Sequence, residues 1–134
     1  MEVGEPVRER YPRATLIAVE SRSFCRSFCC LAVRWTAPEV FEDPALSLCF
    51  SSDVYSLGLV FYELLTSRKP WDGLSGDEAA NRCWMGERPE IRAEDIASAP
   101  ADFVALVKVC WAKDPKTRPT ASAVVDRLKI MQES

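Results

Sequence analysis

The sequence predicts a mainly α-helical fold, with no convincing sheet over residues 35–134. The first observation below predicts the helical class, and the next two predict a single domain with one core. Apolar residues recur at helical spacing over several stretches, and segments that contain proline close those stretches. The 134 residues have the length of one modest domain. The 48% hydrophobic and 28% charged residues are ordinary for a globular chain with one core.

The longest predicted helix begins at Ser51 or Ser52, either of which is a candidate N-cap, and runs to about Thr66. Asp53 falls in its first turn, where a negative charge suits the helix dipole. Helical spacing is carried by Val54, Leu57, Gly58, Phe61, Leu64 and Leu65. Two further apolar residues, off that face, are Leu59 and Val60. Because more than one face is apolar, we expect other helices to surround this one.

Three more helices follow it. A short one is predicted from Asp77 to Met85, and residues 87–100 are predicted to be mostly irregular. The next is marked by apolar residues at helical spacing, Phe103, Leu106, Val107 and Cys110. Thr120 is the predicted cap of the last helix. That helix is expected to bury Val124, Val125, Leu128 and Met131.

The first 33 residues differ from the rest. Pro6 and Pro12 break any helix, although Ala14 to Val19 could form a short strand. A small tandem repeat follows over residues 22–29, which is typical of low complexity. We therefore interpret residues 1–33 as an irregular N-terminal segment and residues 34–134 as the folded unit.

Composition and charge exclude several classes of function. The chain has no histidine, which excludes a Ser-His-Asp hydrolase, a histidine-ligated zinc enzyme and a haem protein with a proximal histidine. The net charge is −3: residues 1–34 hold six Arg against four Glu, and the remainder hold eleven cations against sixteen anions. This balance argues against a basic nucleic-acid-binding surface, so no nucleic-acid partner is expected.

The six cysteines are expected to be free thiols of a cytoplasmic protein. The N-terminus lacks the basic region and apolar run of a signal peptide, and no paired C-x-x-C units indicate a zinc site. Cys83 and Cys110 fall in helical patterns and are predicted core residues. The apolar run from Phe28 to Val33 is too short to span a bilayer, so no membrane segment is expected in this chain.

Three motifs occur in order along the helical region: Arg34-Trp35-Thr36-Ala37-Pro38-Glu39, Ser52-Asp53-Val54-Tyr55-Ser56-Leu57-Gly58, and Cys110-Trp111-Ala112-Lys113-Asp114-Pro115-Lys116-Thr117-Arg118-Pro119. They closely resemble the C-terminal lobe of eukaryotic protein kinases, in which A-P-E closes the activation segment. Pro70-Trp71 and residues 86–90 resemble the stretch around the substrate-docking helix of that family. The W-T-A-P-E form resembles the tyrosine kinases and the tyrosine-kinase-like group. Over residues 33–134 the resemblance implies a partial protein-kinase-like fold, a helical C-lobe without the N-terminal β lobe.

The resemblance implies a role for each matched residue. Glu39 would form a buried bidentate pair with Arg118, whereas the alternative is a solvent-exposed pair contributing less than about 1 kcal/mol. Asp53 would accept hydrogen bonds from the catalytic-loop backbone of a complete kinase. An exposed carboxylate in the first turn of a helix is the alternative interpretation, and the residues favour neither of the two. Trp35 and Thr36 would line the groove for the residue after the acceptor hydroxyl, with core packing as the alternative for Trp35.

Other motif residues have structural interpretations. Ala37 and Pro38 complete the A-P-E motif, Gly58 ends the second motif, and Trp111 is a core or rim aromatic. Ser23 and Ser27 lie where an activation loop could carry regulatory phosphates, which could recruit arginine partners. The alternative is that they are ordinary serines of a polar linker.

Phosphoryl transfer needs a glycine-rich loop, a phosphate-binding lysine, a catalytic aspartate, an asparagine and a magnesium-binding aspartate. In the family all of these precede A-P-E. Here the first aspartate is Asp43, the first lysine is Lys69, and the only asparagine is Asn81. The chain alone is therefore predicted to be inactive, with no catalytic, cofactor-binding or metal-binding residues of its own. ATP and magnesium are expected only for the complete kinase domain.

The leading hypothesis is the C-terminal part of a protein kinase domain, whose parent transfers phosphate from ATP to Ser, Thr or Tyr of a protein substrate. Residues 1–33 would then replace the usual upstream half, as an unrelated leader or through truncation. A second hypothesis is a non-catalytic protein-binding module that uses the surface around Asp77 to Met85 to bind a partner protein. A third is an unrelated helical interaction protein.

Overall fold

The structure, a computed structural model, describes residues 33–43, 45–46 and 49–134. Its α-helices are α1 (Pro38–Glu42), α2 (Phe50–Thr66), α3 (Gly76–Trp84), α4 (Ala93–Ile96), α5 (Ala101–Cys110) and α6 (Ala121–Glu133). Short 3-10 helices cover Val33–Trp35 and Pro115–Thr117. The prediction of a mainly helical fold is confirmed. The predicted strand over Ala14–Val19, the tandem repeat, and Ser23 and Ser27 lie outside the described residues.

Helix α2 forms the centre of the core and packs most closely against α5. Gly58 brings the two helices together, because a Cβ atom built there would lie 2.8 Å from the Cβ atom of Cys110. Further along the same crossing, the rings of Phe61 and Phe103 are 5.6 Å apart between centroids. The side chains of largest volume that are fully buried include Tyr55, Leu59, Leu106 and Val107. The core is therefore built mainly by these two helices.

The sequence predicted that other helices surround α2, but the helices among the described residues cover only part of it. Leu59 is fully buried, but Val60 is exposed and Leu64 is 70% exposed. Phe50 at the start of the helix is exposed as well. The described elements cover only part of the circumference of α2, so one apolar side of the helix faces solvent.

The start of α2 also differs from the prediction. The N-cap is Cys49, which makes no side-chain capping bond, and Ser51 and Ser52 lie inside the helix. Ser52 is buried and its hydroxyl lies 2.7 Å from the Leu46 carbonyl oxygen, so it serves a contact with the preceding segment. A tertiary contact therefore takes the hydroxyl that was predicted to cap the helix.

The remaining helices follow the predicted pattern, with two corrections. Thr120 caps α6 by accepting a hydrogen bond from the Ala123 amide, as predicted. Of the four residues predicted to be buried on α6, Val124 is buried, Leu128 and Met131 are partly buried against the core, and Val125 is 47% exposed. Helix α4 was not predicted.

Helix α4 depends on a contact from elsewhere in the chain. The Arg68 guanidinium donates to both carboxylate oxygens of Asp95, at 2.9 and 2.7 Å. Asp95 also accepts from the Arg92 amide at 2.7 Å, which closes the first turn of the helix. None of the described helices combines the length and the apolar character that crossing a membrane requires.

Candidate functional site

The first and third motifs meet in a buried ion pair. The guanidinium of Arg118 donates through Nη1 to Oε1 of Glu39 at 2.6 Å and through Nη2 to Oε2 at 3.0 Å. The side chain of Arg118 is 0% exposed and that of Glu39 is 12% exposed. This is the bidentate, largely desolvated arrangement rather than a surface pair. It joins two positions 79 residues apart in the sequence.

The local fold satisfies the remaining donors of Arg118. Nε donates to the Ala112 carbonyl at 2.8 Å, and Nη1 also donates to the Ser51 carbonyl at 2.9 Å. The guanidinium carbon lies 4.9 Å from the centroid of the Tyr55 ring, within the range of a cation–π contact. Arg118 thus ties the start of α2 and the end of α5 to Glu39.

Glu39 is held in its ionised form. Burial alone would raise the pKa of this carboxyl, but hydrogen bonds and charge from Arg118 outweigh that effect and lower the pKa. The Ser52 hydroxyl, 3.0 Å from Oε1, lowers it further. The first turn of α1 presents Glu39, because Pro38 occupies the beginning of the helix, where its missing N–H is not needed.

Tyr55 lies at the centre of a second buried cluster. A second guanidinium, that of Arg88, lies 5.2 Å from the Tyr55 ring centroid, and the Tyr55 hydroxyl lies 3.0 Å from Sγ of Cys83. Desolvation raises the pKa of the Tyr55 hydroxyl and that of the Cys83 thiol. Both groups are therefore neutral near pH 7, and Cys83 is a structural thiol rather than a nucleophile.

The segment before α1 carries the two groove candidates. The indole Nε1 of Trp35 donates to Oε1 of Glu63, and the Trp35 carbonyl accepts from the Ser56 hydroxyl at 2.8 Å. The Trp35 side chain is half-buried against the core. Sγ of Cys83 lies 3.8 Å from the Thr36 carbonyl oxygen, which places α3 beside this segment.

The other motif residues lie apart from the ion pair. Asp53 is exposed in the first turn of α2. Ala37 is buried in the core. Trp111 is buried at the end of α5, with its ring 5.9 Å from that of Tyr62. Asp53 is therefore available to a partner, whereas the two apolar residues serve packing.

Sequence reasoning missed several participants in these contacts. Ser52 had been interpreted as a cap, and nothing in the pattern indicated that Glu63 bonds Trp35 or that Arg88 lies over Tyr55. These contacts join residues 13, 28 and 33 positions apart, and periodicity does not encode such separations. The one available signal for Arg88 was its position in the Gly86–Glu90 run.

The side chains of this site hold backbone segments together. Within residues 33–43, 45–46 and 49–134, no group of three acidic or thiol side chains is arranged to hold a metal ion. The ion pair itself is fully engaged by its own hydrogen bonds, so it has no free group for proton transfer. The Glu39–Arg118 pair is thus a structural contact.

Known proteins share this sequence pattern. The family described as protein tyrosine and serine/threonine kinase matches residues 15–128. Putative serine/threonine-protein kinase/receptor R818 of Acanthamoeba polyphaga mimivirus is 37% identical over 101 residues, which cover 75% of this chain and 6% of that protein. Mitogen-activated protein kinase kinase kinase 7 of Homo sapiens is 38% identical over 100 residues, covering 72% of this chain and 15% of that protein. The chain thus spans only a small part of these relatives.

Proposed function

The chain belongs to the protein tyrosine and serine/threonine kinase family, and from that premise we propose that it is the C-terminal lobe portion of a protein kinase domain. The parent activity is the ATP-dependent transfer of a phosphoryl group to Ser, Thr or Tyr of a protein. The family match includes residues 15–32, which precede the described part of the chain.

One observation carries this proposal. The buried pair between Glu39 and Arg118 joins the A-P-E motif to the last motif, which is the connection that the resemblance implies. Three short motifs could occur in one sequence by coincidence. A bidentate contact that brings two of them together in a desolvated site supports a common architectural origin.

The chain alone is proposed to be inactive. The described residues lack a metal-binding group, and the first lysine of the sequence, Lys69, follows the A-P-E motif instead of preceding it. The residues that the structure describes do not fit Mg-ATP, and no step of phosphoryl transfer is assigned to them. ATP and magnesium belong to the complete domain in this proposal.

The proposed substrate-facing surface is the segment with Trp35 and Thr36. Arg34 and the W-T-A-P-E form favour the tyrosine-kinase-like group for the parent, and the mimivirus relative described above is named as a putative serine/threonine-protein kinase/receptor. Cys49, Cys83 and Cys110 form no disulfide bonds, which favours the cytoplasm as the compartment.

A second candidate function is a non-catalytic protein-binding module. Met85, directly after α3, is 71% exposed, so a large apolar side chain of the Asp77–Met85 surface is accessible to another protein. In this alternative the chain acts without ATP.

A phosphotransfer assay separates the two. The endogenous protein is precipitated with an antibody to residues 116–134 and compared with the recombinant 134-residue chain, using Mg-ATP and a generic protein substrate. We expect activity in the precipitate and none in the chain. Transfer by the chain alone would refute its proposed inactivity, whereas an inactive precipitate would favour the binding module.

A further inference from the structure

Arg34, directly before the groove segment, donates hydrogen bonds to main-chain carbonyls of a distant loop. Its Nη1 donates to the Trp71 carbonyl at 2.8 Å and to the Pro70 carbonyl at 3.3 Å, while Nη2 donates to the Leu74 carbonyl. These carbonyls all belong to the loop between α2 and α3. In the part of the chain that the structure describes, the ion pairs involve other arginines, so Arg34 serves main-chain oxygens instead of a carboxylate.

The arrangement of the three carbonyls suits arginine better than lysine. A planar guanidinium presents several N–H donors in a fixed fork, so that one side chain can bond carbonyls on successive turns of a loop. A lysine ammonium is a compact point charge, and it cannot span the same oxygens in one plane.

The loop that Arg34 bonds contains a strained residue. Trp71 has φ +57°, a left-handed conformation that is rare for a bulky side chain, and its ring is buried. The Trp71 carbonyl accepts from the Leu74 amide at 3.1 Å as well as from Arg34. These bonds hold the loop in a conformation that Trp71 would not favour by itself.

The same loop leads directly into α3. Leu74 precedes Ser75, the N-cap of α3, whose side chain and main chain form a capping box with Glu78. Arg34 therefore bonds the residue directly before the N-cap of α3. On its other side, Arg34 is followed by Trp35, which is bonded to α2 through Glu63.

We propose that Arg34 is a positioning residue that fixes the Trp35–Thr36 groove segment and the start of α3 relative to each other. The inference deepens the proposed function and depends on it for the role of the groove. When Arg34 is removed, we therefore expect the loop and the Trp35 indole to lose their hydrogen bonds together.

Hydrogen exchange of the whole 134-residue chain, followed by NMR, tests this. The reporters are the Leu74 amide, which bonds the Trp71 carbonyl, and the Trp35 indole N–H. The Val124 amide in α6, bonded to the Thr120 carbonyl, reports global opening. For Arg34→Ala we expect both reporters to exchange at least about tenfold faster relative to Val124, the order of effect for one charge-assisted hydrogen bond.

Two further variants complete the design. Arg34→Lys should accelerate exchange at both reporters by an intermediate factor. If Arg34→Ala does not fold, Arg34→Lys is the variant on which the proposal is tested. Arg82→Ala removes an exposed arginine from α3 as the matched control and should leave both reporters unchanged. The proposal is overturned when the reporters keep their exchange rates, or when they accelerate only as much as Val124. These readouts need no ATP or substrate, so the positioning role can fail while the proposed function stands. The proposed function can likewise fail while the positioning role stands.

Discussion

Removing either partner of the Glu39–Arg118 pair should strongly destabilise the chain. Arg118 is fully buried, so Glu39→Ala leaves a desolvated cation without its anion. Breaking such a pair costs about 3–5 kcal/mol of the free energy of unfolding. We place Glu39→Ala near the lower end of that range, because Arg118 keeps its bonds to the Ser51 and Ala112 carbonyls. Arg118→Ala belongs near the upper end, since those carbonyls then lose their donor.

The double variant shows whether the two side chains act on each other. Once one partner is gone, removing the other relieves an uncompensated group, so the two losses should not add. We expect a coupling free energy of at least about 1.5 kcal/mol, the size of one charge-assisted hydrogen bond. Urea denaturation followed by tryptophan fluorescence gives the four free energies of unfolding.

A matched cycle on an exposed pair gives the baseline. Arg82 and Glu87 lie 3.4 Å apart, and both side chains are about half exposed. Their coupling should stay below about 1 kcal/mol. Additivity of Glu39→Ala and Arg118→Ala to within about 0.5 kcal/mol would refute the reasoning, because independent sites behave in that way.

Three other perturbations follow from the same contacts. Gly58→Ala should cost about 1–3 kcal/mol in urea denaturation, because the added methyl group would lie 2.8 Å from the Cβ atom of Cys110; no loss would show that α2 and α5 can separate freely. Acid should remove the stabilisation by Glu39. Its folded-state pKa is lowered, so the contribution is present above the ordinary value of 4.5 and is lost as pH falls through the folded-state pKa. Urea midpoints measured against pH should show this loss in the wild type and not in Glu39→Gln, and identical profiles would contradict it. Thr120→Ala should cost about 1 kcal/mol through loss of the α6 cap, whereas Ser122→Ala, at an exposed helical position, should change the urea midpoint little.

Local signals predicted the helices well where no distant partner interferes. Thr120 caps α6 as its sequence context indicates, and residues 76–84 form a helix close to the predicted bounds. In contrast, serine is a residue type that often caps helices, but the Ser52 hydroxyl donates to the Glu39 carboxylate and the Leu46 carbonyl instead. Its role is decided by segments that fold back onto α2, which a local pattern does not contain.

The same distinction applies to α4 and to the faces of α2. A four-residue helix has too few positions to show periodicity, and α4 is tied down by Arg68, 27 residues before Asp95. The exposed side of α2 follows from which elements are near it, so an apolar sequence alone could not tell that Leu64 faces solvent. The contact of Trp35 with Glu63 is of the same kind.

The mass of the endogenous protein tests the central claim most directly. An antibody to residues 116–134 would isolate it for intact-mass and peptide analysis. The account predicts a mass well above 15.0 kDa, with upstream peptides that supply the lysine, the catalytic aspartate and the magnesium ligands of a kinase. An intact mass of 15.0 kDa with no such peptides would contradict the claim that the chain is one portion of a phosphoryl-transferring domain.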